Sequence, residues 1–339
     1  MTDLRSDTFT KPTIEMLEAM FKAPVGDDVF GEDPSINELE AMGAGIFGME
    51  AALFCPSGTM TNQIGINVHT NPGDEVICDD LSHVYIYEGG GIAFNSGAQV
   101  KPLKGDRGRI KAEQVLDAIN PDDLHKARTS LVCLENTANR GGGSCYDFKD
   151  ILDIKQVCLE HKLGLHLDGA RLFNALVAKR ENPKQYGEVF DSISICLSKG
   201  LGTPVGSLLL GKKDFIKEAR RVRKKFGGGM RQAGYLAAAG IYAFQNNVHR
   251  LVDDHRHARM VGEAVAKKSF VKSIVPVETN ILIFEMATGY TAQQMIDALH
   301  AHNIRCLPIS KTAIRMVFHL DVWPDMVEAM IGVIEGLQL

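Results

Sequence analysis

The chain has 339 residues, a length that accommodates about two domains, and its 45% hydrophobic and 23% charged content is ordinary for a globular protein. A formal net charge of −5 excludes a general attraction to nucleic acid or to an anionic membrane. No apolar run approaches the roughly 20 residues of a membrane span, the opening MTDLRSDTFTKPT is too polar for a secretory leader, and the seven cysteines never form C-x-x-C, so a cytoplasmic enzyme with reduced core thiols is expected.

RSDTFTKPT clusters small hydroxyls ahead of a helix expected over 14–21. Ser35, with Glu38 three residues on, predicts a capping box opening the next helix. The G-x-G-x-x-G at 43–48 then ends a helix, the wrong context for a dinucleotide-binding turn. An apolar strand at 51–55 runs into Pro56-Ser57-Gly58-Thr59 and a helix over 60–68. Helix-start N–H groups with the Ser57 and Thr59 hydroxyls suit a phosphate, and they equally suit a plain N-cap. A strand at 75–78 is followed by His83, with Glu88 close behind. A histidine there is placed to lie on a cofactor ring, although a lone histidine is more often structural. Strand and helix patterns alternate through 98–103, 111–119, 130–134 and 148–161, which predicts a parallel sheet with helical crossovers.

Residues 164–211 read as strand, turn, helix, strand, lysine, glycine turn, strand. The strand 164–167 ends on Asp168 and the strand 193–197 on Ser198-Lys199, so two strands each deliver an ionisable residue to the carboxyl end of the sheet, where open α/β sheets bind ligands. A lysine amine in a partly dry pocket can form a Schiff base, and a facing aspartate can hold a protonated ring nitrogen. A lone Asp–Lys pair is more often a buried salt bridge. The three glycines and the proline of LSKGLGTPVGS indicate tightly packed backbone behind Lys199 and favour the chemical reading. The spacing Gly206-x4-Gly211-Lys212 lacks the Ser or Thr of a phosphate loop and overlies an apolar strand.

Helices are expected over 212–226, 230–243 and 248–267; the basic run at 220–225 reads as a solvated or anion-facing helix surface. Strands at 280–285, 305–308 and 313–318, with helices at 291–302 and 324–336, then form a smaller α+β unit, so the division is 1–247 and 248–339. His255-x-His257 and His300-x-His302 point apart on helices, so no metal site is expected.

Nine ordered segments, RSDTFTKP, VGDDVFGEDP, FCPSGTMTN, LSHVYIYEGGG, LVCLENT, HLDGARLFNA, LSKGLGTPVGS, FGGGMRQAG and RMVFHLDV, resemble the threonine aldolases across nearly the whole chain. The resemblance implies a pyridoxal-phosphate enzyme of the aspartate-aminotransferase fold (fold type I). Such a fold has a large domain with a mostly parallel sheet and a smaller α+β C-terminal domain, on which the first twenty or so residues pack. It implies that Lys199 bonds the cofactor, Asp168 holds the pyridine nitrogen, His83 stacks on the ring, and Ser57, Gly58 and Thr59 bind the phosphate. Ser6, Arg171 and Arg315 would take the substrate carboxylate, Arg171 also lying beside the cofactor. His125 would serve the β-hydroxyl side, and Arg231 would reach a neighbouring subunit's cofactor in a homotetramer built of dimers that share active sites. Phe9, Phe30 and Phe318 depart from the family's usual Val, Tyr and Thr.

The activity so implied is retro-aldol cleavage of a small-molecule β-hydroxy-α-amino acid, L-threonine or L-allo-threonine, to glycine and acetaldehyde, with His83 or a water it holds as base. The alternatives are a β-eliminating lyase on a related amino acid and a non-catalytic cofactor binder. A complete Lys–Asp–Arg set argues against a mere binder.

Overall fold

Runs such as SISIC, SLLLG and EVICD are buried along their whole length, which requires cover on both faces. In the computed structural model, which describes residues 1–339, they lie in a seven-stranded sheet. Its order from one edge is Ala51–Cys55, Ser207–Gly211, Ser192–Cys196, Gly164–Gly169, Thr129–Glu135, Glu75–Asp79 and Gln99–Leu103. Ser207–Gly211 is antiparallel to both neighbours, while the pairings from Ser192–Cys196 onward are all parallel. The parallel strands are joined by helical crossovers, so their carboxyl ends fall along one side of the molecule.

A second sheet of four antiparallel strands orders Leu307–Pro308, Ala313–Val317, Ile281–Met286 and Val271–Ile274. Helices Leu251–Ala266, Ala292–Ala301 and Pro324–Gly336 bury a separate core against it, containing Phe284, Met316 and Phe318. The chain's first residues join this body. Thr2–Asp3 pairs in parallel with Ile304–Arg305, and Leu4 is fully buried in the same core. That anchor, with Val317 N–H donating to the Leu4 carbonyl at 2.9 Å, carries Ser6 and Asp7 to the junction of the two sheets.

Several local expectations are corrected. The second helix is capped by Asp33, not Ser35: the Asp33 side chain accepts from Ile36 N–H, Pro34 takes the first helical position, and the Ser35 hydroxyl donates to the Pro24 carbonyl at 2.7 Å. Proline pre-set for the first turn outcompetes the capping box. The run 305–308 is two short strands in different sheets. Val271–Ile274 went unread because an edge strand of sequence VKSI carries little apolar signal. The basic helix Lys213–Lys225 is only partly solvated. Arg223 is buried, its guanidinium 2.7 Å from Asp28 and donating to the Phe54 carbonyl at 2.7 Å, and Arg220 pairs with the buried Glu40. All seven cysteines are free and buried. No helix is long and apolar enough to cross a membrane.

Candidate active site

The strands Gly164–Gly169 and Ser192–Cys196 are parallel neighbours, and their carboxyl ends deliver Asp168 and Lys199 to one crevice. Asp168 is buried; its Oδ1 accepts from Ala170 N–H at 3.0 Å and its Oδ2 from the Asn62 amide at 3.0 Å. Lys199 is half-buried and begins the tight turn Lys199 C=O to Gly202 N–H.

The next strand over brings Glu135 opposite Asp168 in register. Its two oxygens accept from His83 N–H and Asn139 N–H, each at 2.8 Å. Burial, and then the neighbouring Asp168 charge, push the Glu135 carboxyl up to about 7. His83 opens a short helix and its Nδ1 lies 3.0 Å from Glu88, a carboxylate clamped by Asn62 at 2.9 Å and Gln63 at 2.6 Å. Burial works against a charged imidazole here, but the Glu88 hydrogen bond and the Asp168 charge outweigh it and raise the ring's pKa. An ionised Glu88 only accepts, so neutral His83 carries its proton on Nδ1 and leaves Nε2 with a free lone pair.

Helix Gly58–His69 starts where the central strands end, with the Ser57 side chain accepting from Met60 N–H at 3.2 Å. A Cβ on Gly58 would lie 2.4 Å from Cys196 Sγ, so only glycine lets this helix start press against the strand that leads to Lys199. Its first backbone N–H groups have no partner inside the helix.

Two arginines close the crevice. Arg171, buried at the turn after Asp168, is held by Asp7, Nε to Oδ2 at 2.6 Å and Nη2 to Oδ1 at 2.7 Å. Arg315, on the small sheet, donates from Nη1 to Asn139 Oδ1 at 2.9 Å and from Nη2 to the Arg5 carbonyl at 3.3 Å, while its buried Nε has no partner. Asn139 Oδ1 also lies 3.4 Å from Arg171 Nη1. Arg315, His83, Tyr87, Asn139 and Arg140 line a cavity of about 300 Å³ roofed by 307–309. Ser6, which follows the Arg5 carbonyl that Arg315 holds, does not line this cavity; its hydroxyl accepts from Thr8 N–H and Thr8 Oγ1.

Two expected residues are not brought to this place. His125 is exposed and bonds Asp123 at 2.9 Å; it precedes Thr129–Glu135, the strand whose other end carries Glu135, which puts it roughly 20 Å away along the strand. Arg231 is exposed and paired with Asp27 at 2.9 Å. Asp7, Asn62, Glu88, Glu135 and Asn139 were given no role from the sequence, although all but Asn139 lie inside the nine segments above.

The donor set fits a planar, phosphorylated heteroaromatic cofactor: an amine, a buried carboxylate beside it, a ring to stack, and a glycine-walled helix start. His83, Glu88 and Asp168 also bring ligand atoms within 4.8 Å of one another, with both carboxylates accepting from amide groups, as in a hydrogen-bonded cluster.

A family model described as beta-eliminating lyase matches residues 3–288. The chain is 44% identical over 323 residues to the low specificity L-threonine aldolase of Escherichia coli (strain K12), covering 95% of each. It belongs to the threonine aldolases of the β-eliminating lyase family. A probable low-specificity L-threonine aldolase 2 of Arabidopsis thaliana is 41% identical over 99% of this chain and 96% of its own. Among solved structures, a Leishmania major threonine aldolase superposes with a TM-score of 0.85 at 21% identity over 99% of each chain, and a Sphingomonas wittichii serine palmitoyltransferase with 0.76 at 16% over 98% and 86%. These share the fold-type I architecture. As a threonine aldolase family member, the chain is a pyridoxal-phosphate-dependent lyase.

Proposed function

We propose that this enzyme cleaves β-hydroxy-α-amino acids, L-threonine and L-allo-threonine among them, to glycine and an aldehyde. The observation that carries the reading is that Arg315 and His83 line one cavity, the Arg315 guanidinium keeping a buried Nε without a partner. One end of that cavity holds a cation for an α-carboxylate and the other a base for a β-hydroxyl.

The electron sink for the breaking Cα–Cβ bond is the chemistry pyridoxal phosphate supplies when bound. Lys199 would hold the cofactor through its amine, Asp168 would hold the ring-nitrogen proton, and Ser57, Gly58 and Thr59 would receive the phosphate at the helix start. Arg315, with Asn139 fixing its fork, grips the substrate carboxylate and orients the bond to be broken. Arg171 holds the cofactor side of that grip, its own charge compensated by Asp7. His83 takes the β-hydroxyl proton on Nε2, directly or through a water, while Glu88 stabilises the imidazolium so formed.

We also infer a homotetramer in which His125 and Arg231 serve a neighbouring subunit's site, a C-terminal unit from residue 248 that closes the site, and a cytoplasmic location. Support for assembly comes from outward apolar side chains at Phe21, Phe30 and Phe94, each at least 74% exposed. Light scattering on the purified chain tests that part.

The reading is tested by incubating the enzyme with L-threonine, L-allo-threonine and bulkier β-hydroxy acids. Glycine and aldehyde in equal amounts are expected. The β-eliminating family description favours one rival, release of pyruvate and ammonia, and that product set would replace the reading.

A further inference from the structure

Behind Asp168, on the side away from the crevice, a line of buried polar side chains runs through the molecule between helix Gly58–His69 and the sheet. Asn62, Gly65 and His69 lie on one face of that helix, three and seven residues apart. His166 shares a strand face with Asp168, and Ser192 is its register partner on the next strand. The contacts are continuous: Asp168 Oδ2 to Asn62 Nδ2 3.0 Å, Asn62 Oδ1 to His166 Nε2 3.2 Å, His166 Nδ1 to Ser192 Oγ 2.8 Å, and Ser192 Oγ to His69 Nε2 2.8 Å.

The direction of every bond follows from the carboxylate end. Ionised Asp168 and Glu88 only accept, so the Asn62 NH₂ must face both and its oxygen must face His166. His166 therefore donates from Nε2 and accepts at Nδ1. Ser192 must spend its one proton on that Nδ1, and its oxygen then accepts from His69 Nε2–H. Burial pushes both imidazoles down, His166 to about 3 and His69 to about 4, so each stays neutral with one donor and one acceptor. Two glycines make room for the rings. A Cβ on Gly65 would come within 2.9 Å of the His166 ring, and one on Gly164 within 3.2 Å of His69, whose other face rests on Phe215 at 4.7 Å between centroids. The line ends where His69 meets a cavity of about 500 Å³ at the opposite, amino-terminal end of the strands.

We propose that Asn62, His166, Ser192 and His69 are positioning residues that form one directed hydrogen-bond chain holding the Asp168 carboxylate toward the cofactor. The role of Asp168 itself rests on the functional reading above; the existence and direction of the chain do not. All four dipoles point the same way, so each bond polarises the next, and the four residues brace the carboxylate without adding a charge of their own.

The test uses ¹⁵N-labelled full-length enzyme, with and without pyridoxal phosphate, and long-range ¹H–¹⁵N spectra of the imidazoles. Both His166 and His69 are expected as the Nε2–H tautomer in each form. Ser192→Ala should scramble the His69 tautomer while Asn62 keeps His166 as Nε2–H, speed cofactor release about five- to twentyfold, and lower kcat similarly with KM for the amino acid within about twofold, the size of one or two lost buried hydrogen bonds. Ser192→Thr, which keeps the hydroxyl, should restore all three. Should Ser192→Ala not fold, His69→Ala at the half-buried end removes the first donor and should leave His166 as Nε2–H while speeding cofactor release by a smaller factor. An Nδ1–H His166 in the unmodified enzyme overturns the proposal. So do expected tautomers combined with unchanged cofactor release and kcat in the variant. A protein that never binds pyridoxal phosphate defeats the functional reading, and the tautomers of the cofactor-free form still decide whether the chain exists.

Discussion

Asp7 and Arg171, separated by 164 positions in sequence, form a two-pronged ion pair with both side chains buried. Burial opposes ionisation of Asp7, but the Arg171 charge and hydrogen bonds prevail and hold its carboxyl below the ordinary value of 3.8. A depressed carboxylate contributes stability that is present above the unfolded pKa and is lost as pH falls through the folded one. Asp7→Asn leaves an uncompensated buried guanidinium and is expected to cost about 3–5 kcal/mol at neutral pH. Urea midpoints at pH 7 and pH 3 check this: the gap to the parent should narrow at the acid end.

Lys199 is expected to carry the cofactor covalently. The purified protein should be yellow, and borohydride should fix the colour to the peptide containing Lys199. Lys199→Ala should lose both the fixed colour and activity. A colourless protein that gains nothing from added pyridoxal phosphate contradicts the assignment.

Asp168→Asn keeps the shape of the side chain but leaves one carbonyl oxygen for the Asn62 and Ala170 donors, and it removes the charge that pairs with a ring N–H. The variant should retain cofactor and lose activity on the order of a thousandfold, since a carboxylate-to-pyridinium pair in a low-dielectric site is worth several kcal/mol. Steady-state kinetics within threefold of the parent would assign the ring nitrogen another partner.

What was legible in the sequence was what strands end on. Asp168 and Lys199 follow short apolar runs, and two such runs side by side in a parallel sheet must meet at one ligand. The helix at 324–336 was legible because its periodicity and its leading proline agree. Illegible were the partners that arrive from elsewhere. Asp7 gives no local sign that it will meet Arg171, and Asn62 reads as one more polar residue in a helix until Glu88, His166 and Asp168 converge on it. Arg223 looked like a solvated basic residue because its neutralising Asp28 lies 195 positions earlier, as the residue numbers give. The direction of Ser207–Gly211 was equally hidden, since an apolar five-residue strand has no polarity of its own.

Glu135 gives a pH prediction of the opposite sign to Asp7. Its folded pKa, raised by burial and by Asp168 to about 7, exceeds the ordinary value of 4.5, so the folded state holds a proton that the unfolded state has released. Stability from this group is therefore full below about pH 4.5 and is lost as pH rises toward 7. Glu135→Gln should flatten that part of the stability–pH curve. The same variant keeps one carbonyl oxygen for two backbone donors, so it should also loosen either His83 or Asn139. Urea unfolding of the cofactor-free parent and variant at half-unit steps from pH 5 to 8 measures the slope; identical slopes would mean that Glu135 stays ionised throughout.

Arg315 tests whether the C-terminal sheet completes the site. It sits between Ile314 and Met316, both fully buried, and its own side chain turns the other way, across the junction toward Asn139 and the Arg5 carbonyl. A guanidinium anchored by one N–H of Nη1 and one of Nη2 is fixed in shape and keeps its remaining N–H donors for an anion. Lysine can supply the charge but neither the second prong nor the anchor to Asn139. Arg315→Lys should thus leave cofactor absorbance unchanged while kcat/KM falls by roughly one to three decades, a loss of about 1.5–4 kcal/mol. Most of that loss should appear in KM if the carboxylate grip acts equally on bound substrate and transition state, and in kcat if it serves to orient the Cα–Cβ bond. A variant that cleaves its best substrate as well as the parent does would remove Arg315 from the substrate's side of the cavity.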